Sequence, residues 1–179
     1  MCFVNFKPLD FRSVETIKRN IEKIWHVFYV QARHEKKVRD RLIDEGFEPF
    51  LPLERVLKQW SQRKKWVEEP LFRSYIFVKT APYEIMNVLQ VPGIVTYVRH
   101  ANKPAVIRQQ HIDIIKKILV TDTTFEVSTQ KIDLGSEIEI QTGPFMGMKG
   151  HVKELRGSRK LLVSLDSIEY TVIVELPSE

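Results

Sequence analysis

The fold of this chain is decided by the stretch Pro70-Leu71-Phe72-Arg73-Ser74-Tyr75-Ile76-Phe77-Val78. From Leu71 onward it consists mainly of aromatic, β-branched and aliphatic residues, which favour a buried strand over a helix. Pro70 stands at its entry, where a strand needs no backbone donor. We therefore predict that this stretch is the central strand of a sheet.

A basic segment precedes this strand. Arg63, Lys64 and Lys65 stand between Trp60 and Trp66. Charge at the middle of an otherwise strand-like segment predicts a hairpin whose tip lies in water. The tip is either an ordinary solvated surface or a contact for a polyanion.

Composition places the chain among water-soluble globular proteins. Its 179 residues are 43% hydrophobic, enough for one domain or two small ones. No apolar run approaches the roughly 20 residues that span a bilayer, so we expect a cytoplasmic protein without membrane association. Cys2 is the only cysteine, which excludes an intrachain disulfide and a cysteine metal site.

Charge is divided unevenly along the chain. Residues 132–179 carry five Lys/Arg and eight Asp/Glu, a net charge of −3, which leaves +8 on residues 1–131 of the total of +5. Any contact with a polyanion is therefore expected in the first part.

The first part alternates strand and helix patterns. Residues 1–24 are read as an N-terminal extension that can form a short helix. A strand at 25–30 precedes an amphipathic helix at 33–45, which Gly46 ends and which we expect to bury Val38, Leu42 and Ile43. Further patterns give the order β-α-β-β-β-α-β-α. This order predicts a ferredoxin-like α/β sandwich at residues 25–119, within an overall α+β fold.

The last part follows a different pattern. Residues 120–131 are rich in Thr, Ser and Gln, and we interpret them as a linker. Residues 132–179 contain short alternating segments with turns at about ten-residue spacing, which predicts a small, SH3-like all-β barrel.

The sequence contains no recognisable catalytic or cofactor motif. The histidines form no i, i+4 pair, and no Gly-x-Ser-x-Gly elbow is present. The glycine turn fails as a phosphate loop because Met148 replaces its second glycine and Gly150 its hydroxyl residue. We therefore expect no enzymatic activity, no cofactor and no metal.

The motifs of the first part, in order, resemble the N-terminal domain of the NusG family of transcription elongation factors. They are Trp25-His26-Val27-Phe28-Tyr29-Val30, Arg33-His34-Glu35-Lys36-Lys37-Val38, Pro70-Leu71-Phe72 with Tyr75-Ile76-Phe77-Val78, Val91-Pro92-Gly93-Ile94-Val95 and Lys103-Pro104-Ala105-Val106-Ile107. Residues 135–152 resemble the KOW motif that follows this domain, through Gly143, Pro144, Phe145, Gly147 and Gly150. The basic hairpin is closer to the specialised paralogues, RfaH and the UpxY-type antiterminators, than to the housekeeping factor.

The resemblance implies a non-enzymatic factor, expected to be a monomer, that binds the clamp helices of elongating RNA polymerase and suppresses pausing. It also implies contact with the non-template DNA strand, and contact of the KOW domain with ribosomal protein NusE or Rho. Carried onto this chain, the clamp-binding residues are Tyr29, Phe72 and Phe77, of which both phenylalanines fit a buried core equally well. The DNA-binding candidates are Arg33, His34, Lys36, Lys37, Arg63, Lys64 and Lys65, with Trp60 or Trp66 for base stacking.

The chain departs from the family pattern after Pro-Leu-Phe. Many relatives have Pro-Gly or Pro-Asn there, whereas this chain has Arg73-Ser74, which we expect to remove a rigid turn. Three functions stay open: an operon-specific antiterminator, a general NusG elongation factor, and a ribosome- or RNA-associated KOW protein. The net charge of −3 on the barrel weighs against the last.

Overall fold

The computed structural model describes residues 22–60, 63–121, 124–129, 136–140, 146–147, 149–155 and 158–175. An N-terminal α/β domain precedes an all-β C-terminal domain, as the sequence predicts. In chain order the elements are β1 (Ile24–Val30), α1 (Glu35–Asp44), β2 (Glu48–Phe50), β3 (Leu53–Trp60), β4 (Arg63–Pro70), β5 (Tyr75–Thr80), α2 (Ile85–Leu89), β6 (Ile94–Tyr97), β7 (Arg99–His100), β8 (Lys103–Pro104), β9 (Val106–Ile107), α3 (Gln109–Val120), β10 (Phe125–Ser128), β11 (Ser136–Glu139), β12 (Lys149–Leu155), β13 (Ser158–Leu165) and β14 (Tyr170–Glu175).

The first sheet has the strand order β2-β5-β1-β6, and β9 also pairs with β1. Each of these pairings is antiparallel. With α1 after the first strand and α2 after the third, this is the split β-α-β order of a ferredoxin-like sandwich. The predicted α+β class and the central position of the β5 segment are therefore confirmed.

The sheet separates two cores. On one side Phe28 and Val30 of β1 pack with Val38 and Leu42 of α1. On the other side Trp25 and Val27 belong to a core with α3, which contributes Ile112, Ile114, Ile115 and Ile118. Because successive strand residues point to opposite faces, β1 is apolar throughout.

The predicted amphipathic helix is confirmed, but α1 begins at Glu35 and not at residue 33, and one of its three predicted core residues is exposed. The helix ends at Asp44, and Gly46 follows with φ +80°, a left-handed conformation that glycine adopts without a Cβ clash. Ile43, however, is 55% exposed. Its neighbour Leu42 occupies the core-facing position, and adjacent helical residues point about 100° apart.

The start of the central strand was predicted wrongly. Pro70 ends β4, residues 71–74 form a turn, and β5 begins only at Tyr75. The apolar pair Leu71-Phe72 is buried in this turn, so its hydrophobicity reflects core packing and not a strand. The expected loss of a turn at Arg73-Ser74 is also wrong, because Ser74 turns the chain with φ +64°.

The predicted hairpin is formed by β3 and β4, which pair with each other from Leu53↔Pro70 to Trp60↔Arg63. At its base, the Leu71 N–H donates to the Pro52 carbonyl at 2.9 Å. The hairpin is a separate two-stranded sheet, joined to the domain at this closed base.

The second sheet has the order β10-β14-β13-β12-β11. Its first strand, Phe125–Ser128, pairs with β14 from Phe125↔Val174 to Ser128↔Thr171 and lies inside the segment predicted to be a linker. That linker prediction is wrong for these four residues, because β14 offers them an edge to pair with. Of the N-terminal extension predicted at residues 1–24, residues 1–21 lie outside the described residues, and Ile24 begins β1.

The two domains contact each other. The Tyr170 ring of β14 lies 5.2 Å from the Phe72 ring and 6.0 Å from the Tyr75 ring. The Ser167 hydroxyl donates to the Val106 carbonyl at 2.9 Å.

In the part of the chain that the structure describes, no helix is long and apolar enough to cross a membrane.

Candidate functional site

The turn that leads into β5 is fastened to both β1 and α1. The Ser74 N–H donates to a carboxylate oxygen of Glu35 at 3.0 Å, and the Val30 N–H donates to the Ser74 carbonyl at 2.8 Å. Glu35 is only 6% exposed, so its carboxylate is committed to this contact. This anchoring fixes the position of the aromatic residues on either side of the turn.

Two tyrosines form the exposed part of an aromatic face. Tyr29 of β1 lies directly opposite Tyr75 of β5, and the two rings meet edge to face at 5.6 Å. Tyr29 is 41% exposed. Burial raises the pKa of Tyr75, and the neighbouring hydroxyls of Tyr170 and Tyr29 raise it further. Tyr75 therefore stays a neutral phenol at physiological pH.

The two phenylalanines predicted to bind the polymerase clamp lie in the core. Phe72 is 1% exposed and Phe77 is 0% exposed. The Phe77 ring contacts Phe72 at 5.7 Å and Phe50 at 6.1 Å. Phe77 is therefore a core residue that supports the aromatic face from below, and in this conformation neither phenylalanine offers surface to a partner.

Tyr170 of the second domain covers part of the same face. Its ring contacts both Phe72 and Tyr75 edge to face. Of the three predicted clamp-binding residues, Tyr29 alone is substantially exposed. Tyr75 and Tyr170 are the residues that sequence reasoning missed. The Tyr29↔Tyr75 pair depends on strand register, and Tyr170 is nearly a hundred residues away in the chain.

Basic residues gather where α1 begins. Arg33 and Lys37 are exposed, and His34 is half-buried. Lys36 reaches across to the hairpin, where its Nζ lies 3.2 Å from a Glu68 carboxylate oxygen. The structure thus brings one of the four predicted basic residues of this helix into contact with β4.

The hairpin carries an exposed tryptophan on each of its two faces. Trp60 is 48% exposed and pairs with Arg63, while Trp66 is 57% exposed and pairs with Leu57. Because cross-strand partners share a face and alternate residues change face, the two indoles point in opposite directions. Arg63, Lys64 and Lys65 are all exposed, as predicted. They do not form the predicted turn, however, because they begin β4 and pair with β3.

A cleft of about 550 Å³ lies between α1 and the hairpin. It is lined by Lys36, Arg55, Lys65, Trp66, Val67 and Glu68. The Arg55 guanidinium lies over the Trp66 ring at 5.8 Å from its centroid. Four of these six side chains are charged, so the cleft suits a polar or anionic ligand with a flat apolar part.

Ion pairs hold the base of the hairpin. Lys58 pairs with Glu69 across the two strands, and the Arg73 guanidinium lies 4.0 Å from the same carboxylate. The hydrogen bond from Lys58 lowers the pKa of Glu69, whereas burial and the charge of Glu69 raise the pKa of Glu54.

Among the residues that the structure describes, no three acidic, histidine or cysteine side chains converge on a possible metal position.

Two of the five predicted KOW residues can be placed. Gly147 has φ +80°, and its N–H donates to the Ile140 carbonyl at 2.7 Å. Gly150 on β12 packs so closely on β13 that an added Cβ would lie 2.6 Å from the Leu161 side chain. Gly143, Pro144 and Phe145 lie outside the described residues.

Comparison with known proteins gives the family. A family model described as "NusG: Transcription termination factor nusG" matches residues 23–116, which is more than half of the chain. A curated relative from Lactococcus lactis, named transcription termination/antitermination protein NusG, is 27% identical over 169 residues, covering 85% of this chain and 88% of the relative. Proteins of the same name from Chlamydia trachomatis and Neisseria meningitidis are 25% and 24% identical, covering 85% and 87% of this chain and 94% and 95% of the relatives.

A solved structure described as "Domain interaction in Thermotoga maritima NusG" also matches, with a TM-score of 0.44 and 20% identity, over 86% of this chain and 93% of that chain. The match of the family model to the α/β domain is sufficient by itself, and it includes the anchored turn, the aromatic face and the basic hairpin. The chain belongs to the NusG family.

Proposed function

We propose that this protein binds elongating RNA polymerase at the clamp helices and suppresses pausing and termination as an operon-specific processive antiterminator. The aromatic face around Tyr29 and Tyr75 is the polymerase-binding surface. The basic hairpin and the start of α1 contact the exposed non-template DNA strand. Tighter binding to the closed clamp than to the open clamp shifts the polymerase toward its processive state.

The observation that carries this proposal is the exposed hairpin with its three consecutive basic residues and its two tryptophans. Cationic side chains bind phosphates without reading sequence, and indole rings stack on unpaired bases. A duplex hides the faces of its bases, whereas the displaced strand of a transcription bubble exposes them. The hairpin therefore suits a single-stranded target.

The second domain is proposed to recruit a further partner, ribosomal protein NusE or Rho. Its acidic balance, −3 over residues 132–179, fits a protein partner better than a nucleic acid. The described strands of this domain form one continuous antiparallel sheet, which supports a permanent β structure in this role.

The test is binding of the full chain to reconstituted elongation complexes that carry the leader sequence of its own operon. The variant Arg63→Ala, Lys64→Ala, Lys65→Ala is expected to bind at least about tenfold more weakly at low salt and to lose part of the salt dependence. A matched control is Lys103→Ala, Lys117→Ala, at two basic positions outside the hairpin and α1.

Equal binding by the triple variant and the wild type would contradict a DNA contact at the hairpin tip. A triple variant that binds normally to free polymerase but weakly to elongation complexes supports the proposal. Loss of binding to both would show that these residues contact the polymerase itself.

A second candidate is a general NusG elongation factor. It is favoured by the curated relatives, which are named termination/antitermination proteins and are covered over 88% to 95% of their length. Deletion of the gene discriminates between the two. Altered transcript levels in a few operons support the specialised factor, and a change across most transcripts supports the general one.

A further inference from the structure

The cleft between α1 and the hairpin has the parts of a single-nucleotide subsite. One wall is Trp66, an aromatic plane that is 57% exposed. The remaining lining includes three cationic side chains and one carboxylate, Glu68. A volume of about 550 Å³ lies within the usual range of about 300–1,000 Å³ for ligand pockets.

The aromatic wall is held in place by its neighbours. The Arg55 guanidinium lies 5.8 Å from the centre of the Trp66 ring, and Leu57 is the cross-strand partner of Trp66. The indole is therefore steadied by cation–π and cross-strand contacts while more than half of its surface stays open. This is the geometry that a stacking base requires.

The carboxylate distinguishes this cleft from a plain phosphate site. Glu68 pairs with Arg55 across the strands, on the same face as Trp66, and Lys36 engages one of its two oxygens at 3.2 Å. A carboxylate accepts hydrogen bonds and donates none. It therefore attracts a base edge that presents N–H groups and repels a phosphate.

We propose that this cleft binds one nucleotide of single-stranded DNA, with the base stacked on Trp66 and its amino-bearing edge bonded to Glu68. The cations at the cleft hold the flanking phosphates. At ring position 4 cytosine carries an exocyclic amino group and thymine a carbonyl oxygen. A Glu68 carboxylate that faces position 4 therefore prefers cytosine to thymine. This inference rests on the proposed function for its DNA target and adds the position and the base preference.

The stacking contact is tested with the full chain and fluorescein-labelled dC12, by fluorescence anisotropy at pH 8 and low salt. Trp66→Ala is expected to weaken binding about fivefold or more, the usual effect of removing one base–aromatic stack. Trp66→Phe keeps an aromatic plane and should restore most of the affinity. Tyr83→Ala, at an aromatic residue outside the hairpin that is 42% exposed, is the control and should change binding less than twofold.

The base preference is tested by comparing dC12 with dT12, which have equal charge and similar ring size. The wild type should bind dC12 about fivefold to tenfold more tightly, as expected for a hydrogen bond to a charged acceptor. Glu68→Gln should reduce that ratio to below twofold. The ratio is the readout because removing a negative charge strengthens binding of both oligonucleotides.

Equal binding of dC12 and dT12 by the wild type would overturn the role of Glu68. A Trp66→Ala variant that binds as tightly as the wild type, or an equal loss of binding in the Tyr83→Ala control, would overturn the subsite. Tighter binding of the corresponding oligoribonucleotide, rC12, would overturn the assignment to DNA. These outcomes do not depend on polymerase binding, which is measured separately on elongation complexes. Failure of the subsite and failure of the proposed function are therefore distinguishable.

Discussion

At the scale of single residues, two buried polar side chains of the α/β domain carry consequences that their sequence context does not reveal. Glu35 looks like one of many charges on an amphipathic helix, yet it is 6% exposed and accepts a backbone hydrogen bond from Ser74. His26 lies in an apolar strand and is 3% exposed. Neither the Glu35 hydrogen bond nor the burial of His26 is predictable from spacing, because each depends on residues far away in the chain.

Replacement of Glu35 by alanine is expected to destabilise the fold by about 1–3 kcal/mol, since the buried Ser74 N–H loses its acceptor. Urea unfolding followed by circular dichroism measures this change. Glu45→Ala, at an exposed position just after the same helix, is the control and should cost less than about 0.5 kcal/mol. Equal stability of Glu35→Ala and wild type would show that the turn does not depend on this carboxylate.

Stability should fall as the pH drops below about 6.5, the ordinary pKa of histidine. Burial lowers the pKa of His26, and the nearby Ala105 carbonyl opposes only part of that shift. Burial and the charge of Arg108 also lower the pKa of His111. Because both folded-state pKa values lie below the unfolded one, the unfolded chain binds more protons and the loss continues down to the folded pKa.

Melting temperatures between pH 8 and pH 5 test this dependence. His26→Leu removes one titrating group and should flatten the curve, whatever its effect on stability at pH 8. Gln59→Ala, at an exposed position on β3, leaves both histidines in place and should leave the slope unchanged. A slope in His26→Leu as steep as in the wild type would contradict the account of His26.

At the scale of elements, the sequence pattern predicts most strands and helices but not their borders. The α1 helix and its glycine end follow from periodicity and from Gly46. The turn at residues 71–74 does not, because buried turn residues are as apolar as strand residues. Strand β10 lies in the segment that the sequence predicts to be a linker. Its four residues form a strand because they pair with β14, more than forty residues away, and local propensity does not report such a partner.

The same limit applies to the candidate site. The basic tip and both tryptophans of the hairpin are predictable from composition and alternation. The aromatic face is not, since it depends on the register Tyr29↔Tyr75 and on contact with the second domain. The cleft at Trp66 likewise depends on how closely α1 approaches β4.

The hairpin should be removable without loss of the fold. Its base is closed by the Leu71–Pro52 backbone bond, and its described residues between 54 and 69 contribute none of the buried core side chains. Replacing residues 55–68 by Asn-Gly, a pair suited to a two-residue hairpin turn, should change the free energy of unfolding by no more than about 2 kcal/mol, through loss of the Lys36–Glu68 and Lys58–Glu69 pairs. Urea unfolding measures stability, and oligonucleotide binding should disappear.

A shortened chain that fails to unfold cooperatively would contradict this view of the hairpin as an appendage. A shortened chain that is stable and still binds oligonucleotides would place nucleic-acid binding elsewhere.

At the scale of the whole molecule, the second domain covers part of the surface that we propose for polymerase binding. Tyr170 packs on Phe72 and Tyr75 beside the exposed Tyr29. Aromatic pairs of this kind are worth about 0.5–1.5 kcal/mol each. A partner that needs the whole face must first displace Tyr170, which lowers its apparent affinity.

Replacement of Tyr170 by alanine is therefore expected to raise the affinity for polymerase, by up to about tenfold. Tyr170→Phe keeps the ring and should behave like the wild type. Biolayer interferometry on immobilised elongation complexes measures both variants. Weaker binding by Tyr170→Ala, with the domain still folded, would mean that Tyr170 itself contacts the polymerase.

The most direct test of the central claim is the rate of escape from a defined pause, measured on reconstituted elongation complexes with the full chain and with Tyr29→Arg. The templates should include the leader of the protein's own operon. The wild type is expected to shorten the pause, whereas Tyr29→Arg, although equally stable, is expected to leave it unchanged. A wild type without effect on every template, or a Tyr29→Arg variant as active as the wild type, would contradict the claim that the aromatic face binds the polymerase clamp.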